Sequence, residues 1–230
     1  MTTQPHSKSS AKSYGQYCPV ARSLDVLGER WTLLVVRNLL MGPQRYTDLR
    51  EALPGIATDL LTARLRTLED AGYVQRHKLP PPTPVTVYQL TDTGQRLRPL
   101  LLELARLGID RLGPPPADQD IRPSAVVLSL RASFDPDATH DPDGTYQLAL
   151  DGEPFSVTIQ NRRLDVARGQ ASNPHCTIST NARLLAQLLS GAIEPAHAIG
   201  TGELALDGTR TELERFLQTF AYPTASSTPA

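Results

Sequence analysis

Hydrophobic residues in the segment 55–72 recur with the period of a helix. Leu60, Leu61, Leu65 and Leu68 are separated by steps of one, four and three residues, which places them along one side of an α-helix. Thr58 is predicted to cap the start of this helix and Gly72 its end. The other side carries mainly small polar and cationic side chains: Thr58, Asp59, Thr62, Ala63 and Arg66, with Arg64 towards its edge. Such a face fits the major groove of DNA, and an ordinary solvent-exposed helix is the alternative.

Three shorter helices are predicted before this one. The first begins at Pro19 and ends at Gly28, and the second, strongly apolar helix spans Arg30–Met41 before Gly42-Pro43. Thr47 is expected to cap a third helix over Asp48–Leu53, and Pro54-Gly55 then turns the chain into the leucine-rich helix. Two short helices joined by a tight turn form a helix-turn-helix.

The period changes from 3.6 to 2 after Gly72, which predicts a β-hairpin. Its strands are Tyr73–Lys78 and Val85–Leu90, joined by a proline-rich turn at Pro80–Pro84. A hairpin directly after a recognition helix is a wing, and Arg76, His77 and Lys78 are placed to meet phosphate or the minor groove. The alternative is a hairpin edge that is kept charged against strand pairing.

A long helix is predicted over Gln95–Leu112, capped by the sequence T-D-T-G. Five leucines share one side of it: Leu97, Leu100, Leu101, Leu104 and Leu107. A stripe of this density suits the seam of a homodimer, and packing against the first helix of the same chain is the alternative.

The second half of the chain is predicted to be α+β with a mostly antiparallel sheet. The predicted strands are Ser124–Ser133, Thr145–Leu150, Phe155–Gln160, Arg163–Ala167, Cys176–Thr180 and Glu203–Asp207. The predicted helices are Ala182–Leu189 capped by Asn181, a helical turn at Pro195–Ile199, and a last helix that starts at Thr209 or Thr211 and runs through Phe220.

Charge and composition divide the chain in two. The first 113 residues hold 15 basic and 10 acidic residues, a net charge of +5, and the remaining residues hold 8 and 14, a net charge of −6. A basic half followed by an acidic half fits a polyanion-binding module joined to a domain of another kind. We therefore predict a disordered tail at 1–13, a DNA-binding and dimerisation domain at 14–113, a proline-rich linker at 114–120, a second domain at 121–222 and a disordered tail at 223–230. The first tail has no apolar segment typical of a signal peptide.

Residues 18–112 resemble winged helix-turn-helix regulators of the HxlR family. The resemblance rests on C-P-V-A-R-S-L-D-V-L-G-E-R-W-T-L-L, on L-P-G-I-A-T-D-L-L-T-A-R-L-R-T-L-E-D-A-G-Y-V and on Y-Q-L-T-D-T-G. It implies a homodimer that binds a pseudo-palindromic DNA site with one recognition helix in each half-site. The residues predicted at the DNA interface are Arg45, Tyr46, Thr47, Thr58, Asp59, Thr62, Arg64, Arg66, Arg76, His77 and Lys78. Asp59 departs from the family pattern, since an acid would repel phosphate unless it accepts a hydrogen bond from cytosine.

Cys18 matches an N-terminal cysteine that senses redox or electrophilic signals in some HxlR members. It precedes a helix start, where the helix dipole favours a thiolate. A structural or capping role is the alternative, because the other cysteine, Cys176, is distant in sequence.

The second half resembles the sterol carrier protein type 2 fold, through P-H-C-T-I-S-T-N-A-R-L-L-A-Q-L-L-S-G and A-I-G-T-G-E-L-A-L-D-G. The resemblance implies a site for an apolar molecule between sheet and helices. The candidate lining residues are Leu184, Leu185, Leu188, Leu189, Ile193, Ile199, Phe216 and Phe220. The alternative is that these residues form an ordinary core.

No sequence motif for catalysis, metal binding or a cofactor is found. The sequence therefore predicts a cytoplasmic, homodimeric, DNA-binding transcriptional regulator that is not an enzyme, has no cofactor and no membrane partner, and responds to an apolar small molecule through its second domain. Three alternatives stay open: a second domain that binds no ligand and only strengthens dimerisation, a lipid-binding carrier whose winged helix contacts protein, and a redox regulator based on Cys18.

Overall fold

The computed structural model of the protein describes residues 13–79, 84–109, 111–138 and 143–222. The chain divides into two compact units. The first contains the residues up to Leu39 and Pro43–Gln95, and the second contains Leu40–Gly42 and the residues from Arg96 onward. The predicted tails apart from Ser13 and most of the predicted proline turn lie outside the described residues.

The first unit is a winged helix-turn-helix. Its elements are α1 (Pro19–Leu27), α2 (Thr32–Leu39), β1 (Gln44–Arg45), α3 (Tyr46–Glu51), α4 (Thr58–Asp70), β2 (Val74–Lys78), β3 (Thr86–Leu90) and α5 (Asp92–Gln95). The strands form an antiparallel sheet in the order β1-β3-β2. Leu61, Leu65 and Leu68 of α4 are fully buried, whereas Leu60 is half-buried. The predicted helix-turn-helix and hairpin are thus confirmed.

Three predicted helix starts in this unit are wrong by two residues or fewer. Helix α2 begins at Thr32 instead of Arg30, because Trp31 has a backbone φ of +77° that no helix accommodates. Helix α3 begins at Tyr46, so Thr47 lies inside it; the Asp48 carboxylate accepts a hydrogen bond from the Arg45 N–H at 3.1 Å and fixes the earlier start. Ala57 occupies the N-cap position of α4, and Thr58 is the first helical residue.

The long helix predicted over Gln95–Leu112 is interrupted. In the structure α5 ends at Gln95 and α6 spans Arg98–Ile109. Pro99 has no N–H to donate to the carbonyl of Gln95, so a continuous helix would lack that bond. The sequence prediction places this helix with the first domain, whereas α6 groups with the second unit, where Arg106 of α6 donates to the carbonyl of Ala132 at 3.4 Å.

Among its described residues, the second unit adds four more helices and a five-stranded sheet to α6. Its further elements are α7 (Pro123–Ser133), β4 (Gly144–Leu150), β5 (Glu153–Gln160), β6 (Arg163–Arg168), β7 (Cys176–Thr180), α8 (Ala182–Leu189), α9 (Pro195–Gly200), β8 (Ala205–Asp207) and α10 (Arg210–Gln218). The strand order is β6-β5-β4-β7-β8, and all neighbours are antiparallel except β4 and β7. The predicted α+β class with a mostly antiparallel sheet is confirmed.

The strand predicted at Ser124–Ser133 is wrong, because this segment is the helix α7. Pro123 occupies its first turn, where its missing N–H costs nothing. The residues Val126, Val127, Leu128 and Leu130 are buried around the helix. A helix that is buried on most sides shows no amphipathic period, and a short apolar run of this kind does not distinguish helix from strand.

The caps of the remaining helices follow from their sequences. The Asn181 side chain accepts a hydrogen bond from the Leu184 N–H at 2.8 Å and starts α8 where it was predicted. Thr209 and Glu212 form a capping box at α10, so Thr209 and not Thr211 begins that helix. Helix α10 ends at Gln218, and Phe220 instead forms an antiparallel bridge with Phe134.

Candidate DNA interface

Tyr46 holds the first turn of α4 against α3. Its hydroxyl donates to the carbonyl of Thr58 at 2.8 Å and lies 3.2 Å from the hydroxyl of Thr62. Thr62 in turn donates to the same carbonyl at 2.9 Å. The Tyr46 hydroxyl therefore positions the start of the predicted recognition helix, a role that its spacing in the sequence did not indicate.

The predicted outer face of α4 is exposed. Thr58, Asp59, Thr62, Ala63 and Arg66 all reach solvent. The side chain of Arg66 is 81% exposed and its nearest carboxylate, Asp70, is 4.0 Å away, which is a weak surface ion pair. Arg66 is thus a cation on a face of short side chains, the arrangement in which an arginine reaches base edges or phosphate.

Arg64, in contrast, points back to its own unit. Its Nε donates to the carbonyl of Arg30 at 3.0 Å and its Nη2 to the Glu29 carboxylate at 2.9 Å, and the side chain is only 15% exposed. The prediction grouped Arg64 with Arg66 as a DNA contact. The structure assigns it to the junction of α4 with the loop between α1 and α2, because that loop supplies both acceptors.

The guanidinium of Arg76 in the wing also forms hydrogen bonds within its own unit. Its guanidinium donates two hydrogen bonds of 2.8 Å to the Glu69 carboxylate near the end of α4 and lies 5.4 Å from the centre of the Tyr88 ring. The hydrogen bond with Glu69 raises the pKa of Arg76, and burial raises the pKa of Tyr88. The two residues that follow, His77 and Lys78, are exposed on the same strand. Of the three predicted wing cations, Arg76 therefore ties β2 to α4, and His77 and Lys78 face solvent.

The start of α3 contributes two further exposed residues that were predicted at the interface. Arg45 and Thr47 are exposed on either side of Tyr46, which is half-buried. The Thr47 hydroxyl lies 3.4 Å from the Asp48 carboxylate, at the long end of hydrogen bonding.

Thr91 and Gly94, for which the sequence predicts only a helix cap, form a close junction at the end of the hairpin. The Thr91 hydroxyl donates to the carbonyl of Gly72 at 2.6 Å and accepts from the Gly94 N–H at 3.1 Å. A Cβ on Gly94 would lie 2.1 Å from the carbonyl oxygen of Tyr73. The T-D-T-G sequence therefore fixes where the hairpin returns to the end of α4.

The candidate lining residues of the second unit lie in its core. Leu184, Leu185, Leu188, Leu189, Phe216 and Phe220 are at most 7% exposed, and Ile193 and Ile199 are half-buried. The Phe216 ring packs 4.9 Å from Tyr146 and 5.0 Å from Phe220 between ring centres. Two cavities within this unit, of about 750 and 150 Å³, are lined by none of these eight residues.

The cysteines differ in their surroundings. Cys18 is half-buried at the N-cap position of α1, with no capping hydrogen bond from its side chain. Cys176 is buried on β7, and this burial raises the pKa of its thiol to about 11. Both are free thiols. Within the described ranges there is no cluster of three His, Cys, Asp or Glu side chains that could hold a metal ion, and no helix there is long and apolar enough to cross a membrane.

Comparison with known proteins places this geometry in a family. Residues 26–114 match the family model of the HxlR-like helix-turn-helix. The uncharacterized HTH-type transcriptional regulator sll1512 of Synechocystis is 40% identical over 98 residues, which cover 43% of this chain and 73% of the relative. The chain belongs to the HxlR family.

Other relatives match the same part of this HxlR protein. The uncharacterized HTH-type transcriptional regulator YvaP of Bacillus subtilis is 38% identical over 101 residues, 43% of this chain and 93% of YvaP. The reduced form of the transcriptional regulator YodB from B. subtilis is a solved structure with 30% identity, a TM-score of 0.37, and coverage of 46% of this chain and all of that one. Residues 128–220 match a different model, the SCP-2 sterol transfer family, so both predicted resemblances are confirmed.

Proposed function

We propose that this HxlR protein is a homodimeric transcriptional regulator that acts in the cytoplasm by binding a pseudo-palindromic DNA site. The observation that carries the proposal is the exposed outer face of α4, where short side chains surround Arg66 and leave its guanidinium free to reach DNA. Thr58, Thr62 and Ala63 are short enough for the helix to lie deep in a major groove.

The other residues of the interface take two kinds of role. Arg66, Lys78, His77, Arg45 and Thr47 are exposed and act as contacts to base edges or phosphate. Tyr46, Arg64 and Arg76 are positioning residues. The Tyr46 hydroxyl bonds to the backbone of α4, Arg64 joins α4 to Glu29 in the loop before α2, and Arg76 joins β2 to Glu69 of α4. Asp59 lies in the first turn of α4. It either accepts a hydrogen bond from a cytosine amino group or contacts no base.

The dimer is proposed from the leucines of α6. Leu97, just before α6, and Leu101 are buried, whereas Leu100, Leu104 and Leu107 are 43%, 43% and 71% exposed. These three exposed leucines are spaced by four and three residues, so they form one apolar ridge along the helix. A ridge of this kind is covered by the same ridge of a second copy in a two-fold dimer.

The second unit is proposed to adjust DNA binding when it binds a small molecule. Half-sites on DNA are about 34 Å apart or a multiple of this distance, so a ligand that changes the spacing of two recognition helices changes operator occupancy. A differential affinity of about 1–3 kcal/mol for the two dimer states corresponds to about a 5–150-fold change in DNA affinity.

The deciding experiment uses fluorescence anisotropy to measure binding to the DNA upstream of the protein's own gene at a series of salt concentrations. We expect a sequence-specific complex with two chains per site and a steep fall of affinity with salt. The double variant Arg66→Ala/Lys78→Ala should abolish specific binding, and the double variant Arg210→Gln/Arg215→Gln, at two exposed positions of α10, serves as the charge-matched control. Weak binding that is equal for all DNA sequences tested, including a genomic library selected for binding, would exclude the proposal.

A further inference from the structure

Two hydroxyl groups at the start of α4 use their protons within the protein. The Tyr46 hydroxyl donates to the Thr58 carbonyl at 2.8 Å, the Thr62 hydroxyl donates to the same carbonyl at 2.9 Å, and the two hydroxyl oxygens lie 3.2 Å apart. Each hydroxyl has one proton to donate and two lone pairs that accept. Because both protons already have acceptors in this network, exposed Thr62 offers lone pairs to a molecule outside the protein.

Asp59 adds a second acceptor to the same face, three residues before Thr62. It is exposed, and its Oδ1 accepts a hydrogen bond from the Leu60 N–H at 2.9 Å. An ionised carboxylate accepts hydrogen bonds and has no proton to donate. None of the ion pairs among the described residues includes Asp59. Its negative charge is therefore uncompensated on the face that is proposed to meet a polyanion.

Hydrogen-bond donors on this face lie further along the helix. Arg66 follows Asp59 by seven residues, which is about 10 Å along the helix axis, or about three base-pair steps of DNA. Arg64, which lies between them, donates to the Arg30 carbonyl and the Glu29 carboxylate instead. The face is thus polarised, with acceptors in the first turn of α4 and an arginine two turns later.

The bases of DNA differ in what they present in the major groove. Guanine presents two acceptors, and thymine presents one acceptor and a methyl group. Adenine presents an amino donor beside the acceptor N7, whereas cytosine presents an amino donor alone. A surface that only accepts hydrogen bonds is repelled by guanine, thymine and phosphate and is matched best by cytosine.

We infer that the first turn of α4 selects cytosine in each half-site, with the Asp59 carboxylate accepting from the N4 amino group. Thr62 excludes bases that present only acceptors from the neighbouring position. The inference rests on the proposed function, because it requires α4 to lie in the major groove. The helix dipole also favours an acid in a first turn, but the dipole gives no reason for a preference among bases.

The first test selects binding sites for the full chain from a library of random duplex DNA. The wild type should enrich half-sites with cytosine at one position, and Asp59→Asn should change that preference to adenine, because asparagine bonds to N6 and N7 of adenine together. Asp92→Asn is the matched control, since it removes the same charge from an exposed position in the first turn of α5. It should change no base, and Arg66→Ala should relax a different base pair.

The second test places modified cytosines at the selected position. N4-methylcytosine replaces the amino hydrogen that faces the major groove, whereas 5-methylcytosine adds a methyl group to the same groove and keeps that hydrogen. The wild type should bind the N4-methyl site about tenfold or more weaker than the 5-methyl site, because a hydrogen bond to a charged group is worth at least this factor. Asp59→Ala should bind the two sites equally.

Thr62 is tested at the neighbouring base pair. Thr62→Val keeps the shape of the side chain and removes its hydroxyl, so it should admit guanine or thymine there. Thr62→Ser keeps the hydroxyl and should retain the preference of the wild type.

The selected sequences separate failure of this inference from failure of the proposed function. No enriched sequence for the wild type would exclude both. An enriched site with the same base preference in the wild type and Asp59→Asn would overturn this inference alone, and so would equal weakening by the two methylated cytosines.

Discussion

Arg76 and Glu69 join the wing to the recognition helix through two hydrogen bonds of 2.8 Å each. The pair is flanked by Tyr88, whose ring centre lies 5.4 Å from the guanidinium carbon. A bidentate pair of this geometry holds both partners in orientation. The wing strand β2 is thereby fixed to the end of α4 by side chains as well as by the chain itself.

This pair predicts that the two wing cations Arg76 and Lys78 differ in their effect on DNA binding. Because the charge of Arg76 is already neutralised by Glu69, we expect Arg76→Ala to leave the salt slope of DNA binding almost unchanged. Lys78→Ala should reduce that slope by about two, because the dimer loses one phosphate contact from each protomer. Anisotropy titrations at four or more salt concentrations measure both slopes. Equal reductions for the two variants would mean that the pair opens on DNA.

Arg64 and Arg66 are predicted to separate stability from DNA affinity. Arg64→Ala removes hydrogen bonds to Glu29 and to the Arg30 carbonyl from a mostly buried side chain, and should lower the free energy of unfolding by about 1–2 kcal/mol. Arg66→Ala removes only an exposed cation and should leave stability within about 0.5 kcal/mol while it lowers DNA affinity. Urea unfolding and anisotropy measure the two quantities.

A double-mutant cycle identifies the partner of Arg64. If Glu29 is that partner, Glu29→Ala should destabilise the wild type more than it destabilises Arg64→Ala. Additive effects of the two substitutions would contradict the assignment of Arg64 to this junction.

Gly94 should tolerate no side chain. A Cβ there would lie 2.1 Å from the Tyr73 carbonyl oxygen and 3.1 Å from two Leu90 carbons, so Gly94→Ala requires the junction under the hairpin to shift. We expect a loss of about 1–3 kcal/mol in the free energy of unfolding, measured by urea denaturation. Gly108 in α6 is the matched control, because its Cβ would meet no atom within 4 Å and alanine is favoured in a helix. Equal effects at the two positions would refute the steric argument.

The elements that were predicted correctly are those whose determinants lie close together in sequence. Helix α8 was predicted with its bounds because Asn181 caps it and its leucines repeat with a helical period. Helix α7 was predicted as a strand because burial on most sides removes that period. The outer face of α4 followed from periodicity alone.

The roles of individual interface residues did not follow in this way. Arg64 is separated from Glu29 by 35 residues and Arg76 from Glu69 by 7, and neither pairing leaves a local pattern. Spacing showed that both arginines lie near the recognition face, but only the fold shows that their charges are already used.

The two thiols should differ in reactivity. Burial raises the pKa of Cys176 from 9.0 to about 11, so at pH 8 its thiolate fraction is negligible and the side chain is inaccessible. A thiol-disulfide reagent such as DTNB should therefore modify one cysteine, Cys18, in the native protein and two after denaturation. The thiol of Cys176 ionises at a lower pH in the unfolded chain than in the folded protein. Its contribution to the free energy of unfolding should therefore be complete below pH 9 and decline as the pH rises towards 11. Rapid modification of Cys176 in the native Cys18→Ser variant would contradict the prediction.

The leucine ridge on α6 predicts how the dimer is broken. Leu104 lies between Leu100 and Leu107 on the exposed side of the helix, so Leu104→Glu places a charge at the centre of the proposed seam. Two such charges meet across the two-fold axis of the dimer, and we expect it to dissociate into monomers. The monomer should lose little stability, because the Leu104 side chain is 43% exposed in the single chain. Sedimentation velocity measures the oligomeric state.

Leu112→Glu is the control, because Leu112 is 51% exposed and lies past the end of α6, outside the ridge. It introduces the same charge into the same unit and should leave the dimer intact. The monomer formed by Leu104→Glu should also lose specific DNA binding, since one recognition helix then contacts one half-site without the second to reinforce it. A dimer that persists in Leu104→Glu, with unchanged DNA affinity, would move the seam away from α6 and leave the exposed residues Tyr17, Val20 and Leu24 of the first unit as the surface to test next.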